Sequence, residues 1–200
     1  MDFQYSNNKI EISEKTITTL DRFVFEFTTL LRKYTDFVIV SGYVSIIFGR
    51  ARGTEDIDIL IPRITKQDFS SLYSDLANNE YYFINPENVH GLFEMLDEGL
   101  GIRAAKKETI IPNIELKFVK DSFDIFSLKK RKEVVLNKKI HLFIAPLELQ
   151  IPYKLHLGSV KDIEDAVYLW DIFHTYIDMK ELKKFMNVLN VDGKQYGISV

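Results

Sequence analysis

Apolar residues recur at Ile17, Leu20, Phe23, Val24, Phe27, Leu30 and Leu31, the three-and-four spacing of one helix face. An amphipathic helix is therefore expected over residues 13–34, with Ser13 as its N-cap. Residues 36–40 read as a buried strand and residues 43–49 as a short helix closing over it. In Asp56-Ile57-Asp58-Ile59-Leu60-Ile61 acids and isoleucines alternate. On a strand this sends Asp56 and Asp58 to one face and Ile57, Ile59 and Ile61 into the core. Pro62 ends the run, and a helix through Phe69, Leu72, Tyr73 and Leu76 is expected over 65–77, stopping at Asn78-Asn79.

Further on, residues 81–84 read as a short strand, and Pro86 opens a helix reaching Met95-Leu96. Gly99 and Gly101 mark a turn region. Residues 113–119 alternate, with Ile114, Leu116 and Phe118 on one side and Glu115, Lys117 and Val119 on the other. A helix over 121–131 ends in the basic run Lys129-Lys130-Arg131-Lys132. Residues 134–136 and 140–144, joined by Asn137-Lys138-Lys139, read as a hairpin. From Pro146 the pattern is helical: a helix to Leu155 that Pro152 can kink, one over 160–176 capped by Ser159, and one over 178–189. The expected fold class is α/β (α+β), a mixed sheet flanked by helices over 1–145, followed by a helical C-terminal section over 146–200.

Composition narrows the setting. Of the 200 residues 46% are hydrophobic and 28% charged, the balance of a folded globular chain. The net charge of -3 gives no general basic footprint, so nucleic acid would have to be met by local patches such as Lys129 to Lys132. The absence of cysteine excludes disulfides, zinc-thiolate sites and thiol nucleophiles. No apolar run approaches the roughly 18 residues of a membrane span, and the first residues lack a signal-peptide pattern, so a cytoplasmic protein without a membrane partner is expected.

The chemistry concentrates in two places. Asp56 and Asp58, pointing the same way, repel each other and call for a cation, and hard cations such as magnesium take carboxylate, phosphate and water oxygens. The Ser41-Gly42 turn after an apolar strand offers backbone N–H groups to a phosphate. A third acid, Glu115 or Asp124, stands in an apolar-acid-apolar context, and Glu115 is favoured because its surroundings alternate as a strand. Arg50 and Arg52 either bind phosphate or pair with Glu55. His90, His141, His156 and His174 lack metal-ligand spacing.

Ser41-Gly42, followed by Arg52-Gly53-Thr54-Glu55-Asp56-Ile57-Asp58, resembles the signature of the nucleotidyltransferase superfamily, whose relatives include polymerase-beta-like enzymes. Pro152 to Ala166, with Lys154, Lys161-Asp162 and Asp165, resembles the abortive-infection (type IV toxin) branch. The resemblance implies a nucleoside triphosphate substrate and two magnesium ions held by Asp56, Asp58 and Glu115. Ser41, Gly42, Arg52, Thr54, Lys161 and Asp162 would lie around the nucleotide, and Lys154 would reach the triphosphate. It implies transfer of a nucleoside monophosphate to an acceptor such as tRNA, as the toxin of a toxin–antitoxin pair with an antitoxin protein as partner. The alternative is a catalytically inactive nucleotide- or RNA-binding, or antitoxin-like, module on the same fold. The chain departs from the family at Tyr43, a bulky residue where a small one usually follows the turn.

Overall fold

In the computed structural model, which describes residues 2–6 and 8–199, leaving Met1, Asn7 and Val200 outside the description, the two periodicities resolve into strands and helices as follows. In chain order they are β1 (Asp2–Ser6), β2 (Lys9–Ser13), α1 (Thr19–Leu31), β3 (Val38–Ile39), α2 (Gly42–Ile47), β4 (Asp56–Ile61), α3 (Lys66–Asn78), β5 (Tyr81–Phe83), α4 (Val89–Asp97), β6 (Ile102–Lys106), β7 (Asn113–Phe118), α5 (Ser122–Lys129), β8 (Lys132–Leu136), β9 (Ile140–Ile144), α6 (Leu147–Leu157), α7 (Val160–Phe173) and α8 (Met179–Val188). The strands form one mixed sheet in the order β1-β2-β8-β9-β3-β4-β7-β6-β5. The fold class is the expected α/β mixture of a mixed sheet flanked by helices.

Alternation decides what the central strands bury. Ile57, Ile59 and Ile61 of β4 are fully buried, and Ile114, Leu116 and Phe118 of the neighbouring β7 join them in the main core. This leaves Asp56, Asp58, Glu115 and Lys117 together on the opposite face. Part of that face is closed by a smaller apolar cluster in which Val38, Leu60 and Ala145 pack with Val119 and with Leu128 of α5. The C-terminal helices are tied in by aromatics: the ring of Phe173 on α7 lies 4.6 Å from that of Phe48 and 5.6 Å from that of Phe3 on β1.

Two segments differ from the sequence reading. Residues 13–18 do not join the first helix, because Lys9-Ile10-Glu11-Ile12 alternates and buries Ile10 and Ile12 as strand β2, parallel to β8. Thr18 rather than Ser13 caps α1: its hydroxyl accepts from the Asp21 N–H at 3.1 Å and the Asp21 carboxylate accepts from its N–H at 2.9 Å, a capping box. The turn region around Gly99 and Gly101 leads directly into a strand, β6, antiparallel to both β5 and β7. Its short run Ile102-Arg103-Ala104-Ala105-Lys106 has weak strand propensity, and pairing on both sides supplies what composition does not.

Candidate active site

Strands β4 and β7 run parallel in a register that sets Asp58 opposite Glu115 and Asp56 opposite Asn113. Glu115 thereby stands beside Asp58 on the sheet face. Two adjacent carboxylates with side chains only 20% and 16% exposed need a compensating charge. Lys117, two residues beyond Glu115 and so on the same face, supplies it: Nζ donates to Glu115 Oε2 at 2.7 Å and to Asp58 Oδ1 at 3.2 Å. Arg103 Nη2 approaches Glu115 Oε1 at 3.5 Å from β6.

The two acids are driven apart. Burial, working against the pull of Lys117 and reinforced by the Glu115 carboxylate, raises Asp58 above the ordinary carboxylate range. Burial pushes Glu115 up as well, but hydrogen bonds from Lys117 and Asp58 outweigh it and hold Glu115 below its usual value. Lys117 is raised, its two carboxylate partners overcoming the opposing effect of burial.

The turn after β3 lies alongside. The Val40 N–H donates to the Asp58 carbonyl at 3.0 Å, which fixes the turn against β4. Ser41 has φ +63° and ψ −138°, a backbone conformation that glycine adopts freely and other residues rarely. Its carbonyl is held by Gln150 Nε2 of α6 at 2.9 Å. Gly42 starts α2, and a Cβ there would come within 2.9 Å of Arg52 Nη2, so the guanidinium lies directly over the glycine.

The bulk of Tyr43 does not crowd this turn. Its side chain is fully buried in the core, and its hydroxyl donates to Asp21 Oδ1 at 2.8 Å, while Lys15 Nζ donates to Asp21 Oδ2 at 2.6 Å. Burial and the Asp21 charge push the Tyr43 phenol far upward. Asp21 itself is lowered, because Lys15, the Thr18 N–H and Tyr43 together overcome its burial.

A second charge cluster joins the turn to the C-terminal helices. Asp165 of α7, fully buried, accepts from Arg50 and Arg52 and lies 3.1 Å from Lys154 Nζ. Lys154, 2% exposed, also donates to Asp162 Oδ1 at 2.6 Å, and Asp162 accepts from the Ser159 hydroxyl. Burial raises Asp162, but Lys154 and Ser159 prevail and lower it. Arg50 and Arg52 thus pair with Asp165, and Arg50 also with Glu164, rather than with Glu55.

Between sheet and helices lies a cavity of about 290 Å³ whose lining includes Ser41, Asp58, Lys117, Asp124, Gln150, Tyr153 and Lys154. Of the residues singled out in the sequence, Ser41, Asp58 and Lys154 meet there, with Glu115 bonded to Lys117 at its wall. Asp56 lies farther along the same strand face and does not line it. The Thr54 hydroxyl is spent on the Asp56 carbonyl at 2.8 Å, and Lys161 is exposed, its carbonyl accepting from Arg50. Asp124 lines the cavity from α5, where its carboxylate accepts the Lys120 N–H at 3.1 Å. Among the described residues no three acidic or histidine side chains converge as a ready-made metal cage.

Sequence reasoning passed over Lys117, Gln150 and the pairing role of Asp165. Lys117 had a signal, its period-two relation to Glu115. Gln150 had none, since only the packing of α6 brings it to Ser41.

No family model matches this sequence, and no curated protein sequence matches it. Solved structures do. The antibiotic-resistance factor ANT(2'')-Ia in solution superposes with a TM-score of 0.54 at 12% identity, covering 91% of this chain and 95% of that one. The crystal structure of ANT(2'')-Ia in complex with adenylyl-2''-tobramycin gives 0.55 at 12% identity over 90% and 99%. An antigenic nucleotidyltransferase-like protein from Paracoccidioides brasiliensis gives 0.51 at 14% identity over 88% and 89%. At such identities the likeness speaks to architecture, and the architecture of this chain is that of the nucleotidyltransferase-like fold.

Proposed function

We propose that this protein is a magnesium-dependent nucleotidyltransferase that moves a nucleoside monophosphate from a nucleoside triphosphate to an acceptor hydroxyl. The observation that carries this reading is the register of β4 and β7, which sets Asp58 against Glu115 beside a cavity that also holds Ser41 and Lys154. The donor set suits a hard divalent cation: Asp58 and Glu115 stand opposite each other in register and both accept from the Lys117 ammonium, with Asp56 on the same strand face as Asp58. Asp56, Asp58 and Glu115 would hold the metal, which when bound would neutralise triphosphate charge and make the acceptor hydroxyl more acidic.

The chain's own residues do the rest. The N–H groups of the Ser41-Gly42 turn would hold the terminal phosphates, with the turn fixed by Gln150 and by the Val40 bond to β4. The acceptor oxygen forms a bond to the α-phosphorus as the bond to the pyrophosphate oxygen breaks. Glu115 would bind the metal near the acceptor or help to take the acceptor's proton. Arg52 and Lys154, both on Asp165, keep positive charge behind the turn.

For the acceptor we favour RNA, with tRNA and a toxin role following from the family resemblance. Helix α5, three of whose residues line the cavity, ends at the exposed Lys129 and Lys130, suited to phosphates of a bound strand. A second reading, a catalytically idle nucleotide- or RNA-binding or antitoxin-like module, is favoured by one observation: Lys117 already neutralises Asp58 and Glu115.

The test is incubation with magnesium, each labelled nucleoside triphosphate, and either total cellular RNA or small hydroxyl-bearing acceptors, because ANT(2'')-Ia is known with the small adenylylated molecule adenylyl-2''-tobramycin. Labelled RNA that disappears with Asp58→Ala is the expected result. Label on a small acceptor alone would replace the RNA proposal, and no label anywhere would leave the idle module.

A further inference from the structure

We infer that Lys117 is a built-in counter-ion that competes with a divalent cation for Asp58 and Glu115 and, once displaced, serves as the cavity's cation for the nucleotide's phosphates. The inference rests on the metal-dependent reading above and concerns how this chain controls access to that site.

Three observations carry it. Lys117 Nζ lies 2.7 Å from Glu115 Oε2 and 3.2 Å from Asp58 Oδ1, contacts made to the oxygens a hard cation would need. An ammonium and a metal ion on those same oxygens repel each other, so each weakens the other's hold. The pair also lies against Gly101, where a Cβ would fall 2.7 Å from Glu115 Oε1 and 3.0 Å from Lys117 Cε, so the glycine sets no side chain of its own against it. Finally, Lys117 has somewhere to go, since its side chain is 34% exposed and lines the cavity.

The cavity's other cations explain why the displaced ammonium is useful. Lys154 is committed to Asp162 and Asp165 and is almost wholly buried. Arg50 and Arg52 do not line the cavity and are likewise bound to Asp165. Lys117 and Lys120 are the lysines of the cavity lining outside that cluster, and Lys117 alone of the two is coupled to the carboxylates. Metal entry would therefore exchange one cation for another at the acids and deliver the first to the anionic substrate.

The experiment uses the full chain and two calorimetric titrations, manganese alone and a non-hydrolysable nucleoside triphosphate in saturating manganese, on wild type, Lys117→Met, Lys117→Arg and Asp58→Asn. Thermal melts check that each variant folds. Lys117→Met is expected to bind manganese about tenfold more tightly, the order of one lost competing charge-assisted pair, and to bind the nucleotide more weakly. Lys117→Arg, which keeps the charge, is expected to bind manganese no more tightly than wild type. A purely structural role would move both affinities of Lys117→Met in the same direction, and that result overturns the inference. So does manganese affinity unchanged by Lys117→Met while Asp58→Asn still abolishes it, which leaves the metal reading standing. Manganese binding indifferent to Asp58→Asn in every background removes the metal reading and this inference together.

Discussion

Lys154 Nζ lies 3.1 Å from Asp165 Oδ2, and neither side chain is more than 2% exposed. The pair sits where α6, α7 and the residues following α2 meet, because Asp165 also accepts from Arg50 and Arg52. One buried carboxylate thus balances three cations, with Asp162 and Glu164 taking part of the load. The cluster holds the Ser41-Gly42 turn against the C-terminal helices through Arg52, whose guanidinium covers Gly42.

Removing that carboxylate strands the cations in a dry place. Breaking a buried pair by deleting one partner costs about 3–5 kcal/mol, because it leaves an uncompensated buried charge. Asp165→Asn is therefore expected to lower stability by about 3 kcal/mol, read as a shift of the urea midpoint at constant slope. A change below about 1 kcal/mol would mean that Asp162 and Glu164 suffice and that the cluster is not the lock described here.

Ser41 offers the opposite prospect. At φ +63° and ψ −138° a side-chain-bearing residue carries strain of about 1–3 kcal/mol, while glycine in the unfolded chain costs about 0.4–1 kcal/mol in entropy. Ser41→Gly should accordingly raise stability by about 1 kcal/mol in thermal or urea melts. The same variant separates the parts played by backbone and hydroxyl in nucleotide binding: affinity should hold if the turn's N–H groups do the work. A melt lower than wild type would show that the serine hydroxyl contributes more than the strain removes.

The legible parts of this protein are those in which a local period meets a strong composition. Isoleucines alternating with Asp56 and Asp58 could only be a strand with its acids on one face, and the Asn113 to Phe118 alternation was equally plain. The register between those strands was not legible, because Asp58 and Lys117 are 59 positions apart with two helices between their strands, and pairing is fixed by packing rather than by local pattern. Lys117 read as the polar face of a strand because nothing in the sequence says that a carboxylate from β4 will stand beside it. Tyr43 misled for a related reason: its place next to Ser41-Gly42 suggested crowding, yet the first turn of α2 rotates the ring into the core toward Asp21. The β1–β2 hairpin was hidden by its brevity, and pairing with β8 is what sets Ile10 and Ile12 into the main core.

Asp58 should separate activity from stability, with a sign that pH can check. Burial, opposed by Lys117 and aided by Glu115, raises its folded-state pKa above the unfolded value of about 3.9. The folded protein therefore binds this proton more tightly than the unfolded chain. Below the unfolded pKa the group is protonated in both states and costs nothing; as pH rises through the raised folded value, ionised Asp58 in its half-dry position increasingly disfavours folding. Asn mimics the protonated acid, and Lys117 keeps Glu115 as its partner at 2.7 Å. Asp58→Asn is thus expected to melt higher than wild type at pH 7, with the two melting temperatures converging as pH falls toward about 3.9, while nucleotide transfer is lost. Melts from pH 3.5 to 8 on both proteins, beside the labelling assay, decide the matter. A variant less stable than wild type at pH 7 would show that Lys117 binds ionised Asp58 more strongly than burial penalises it.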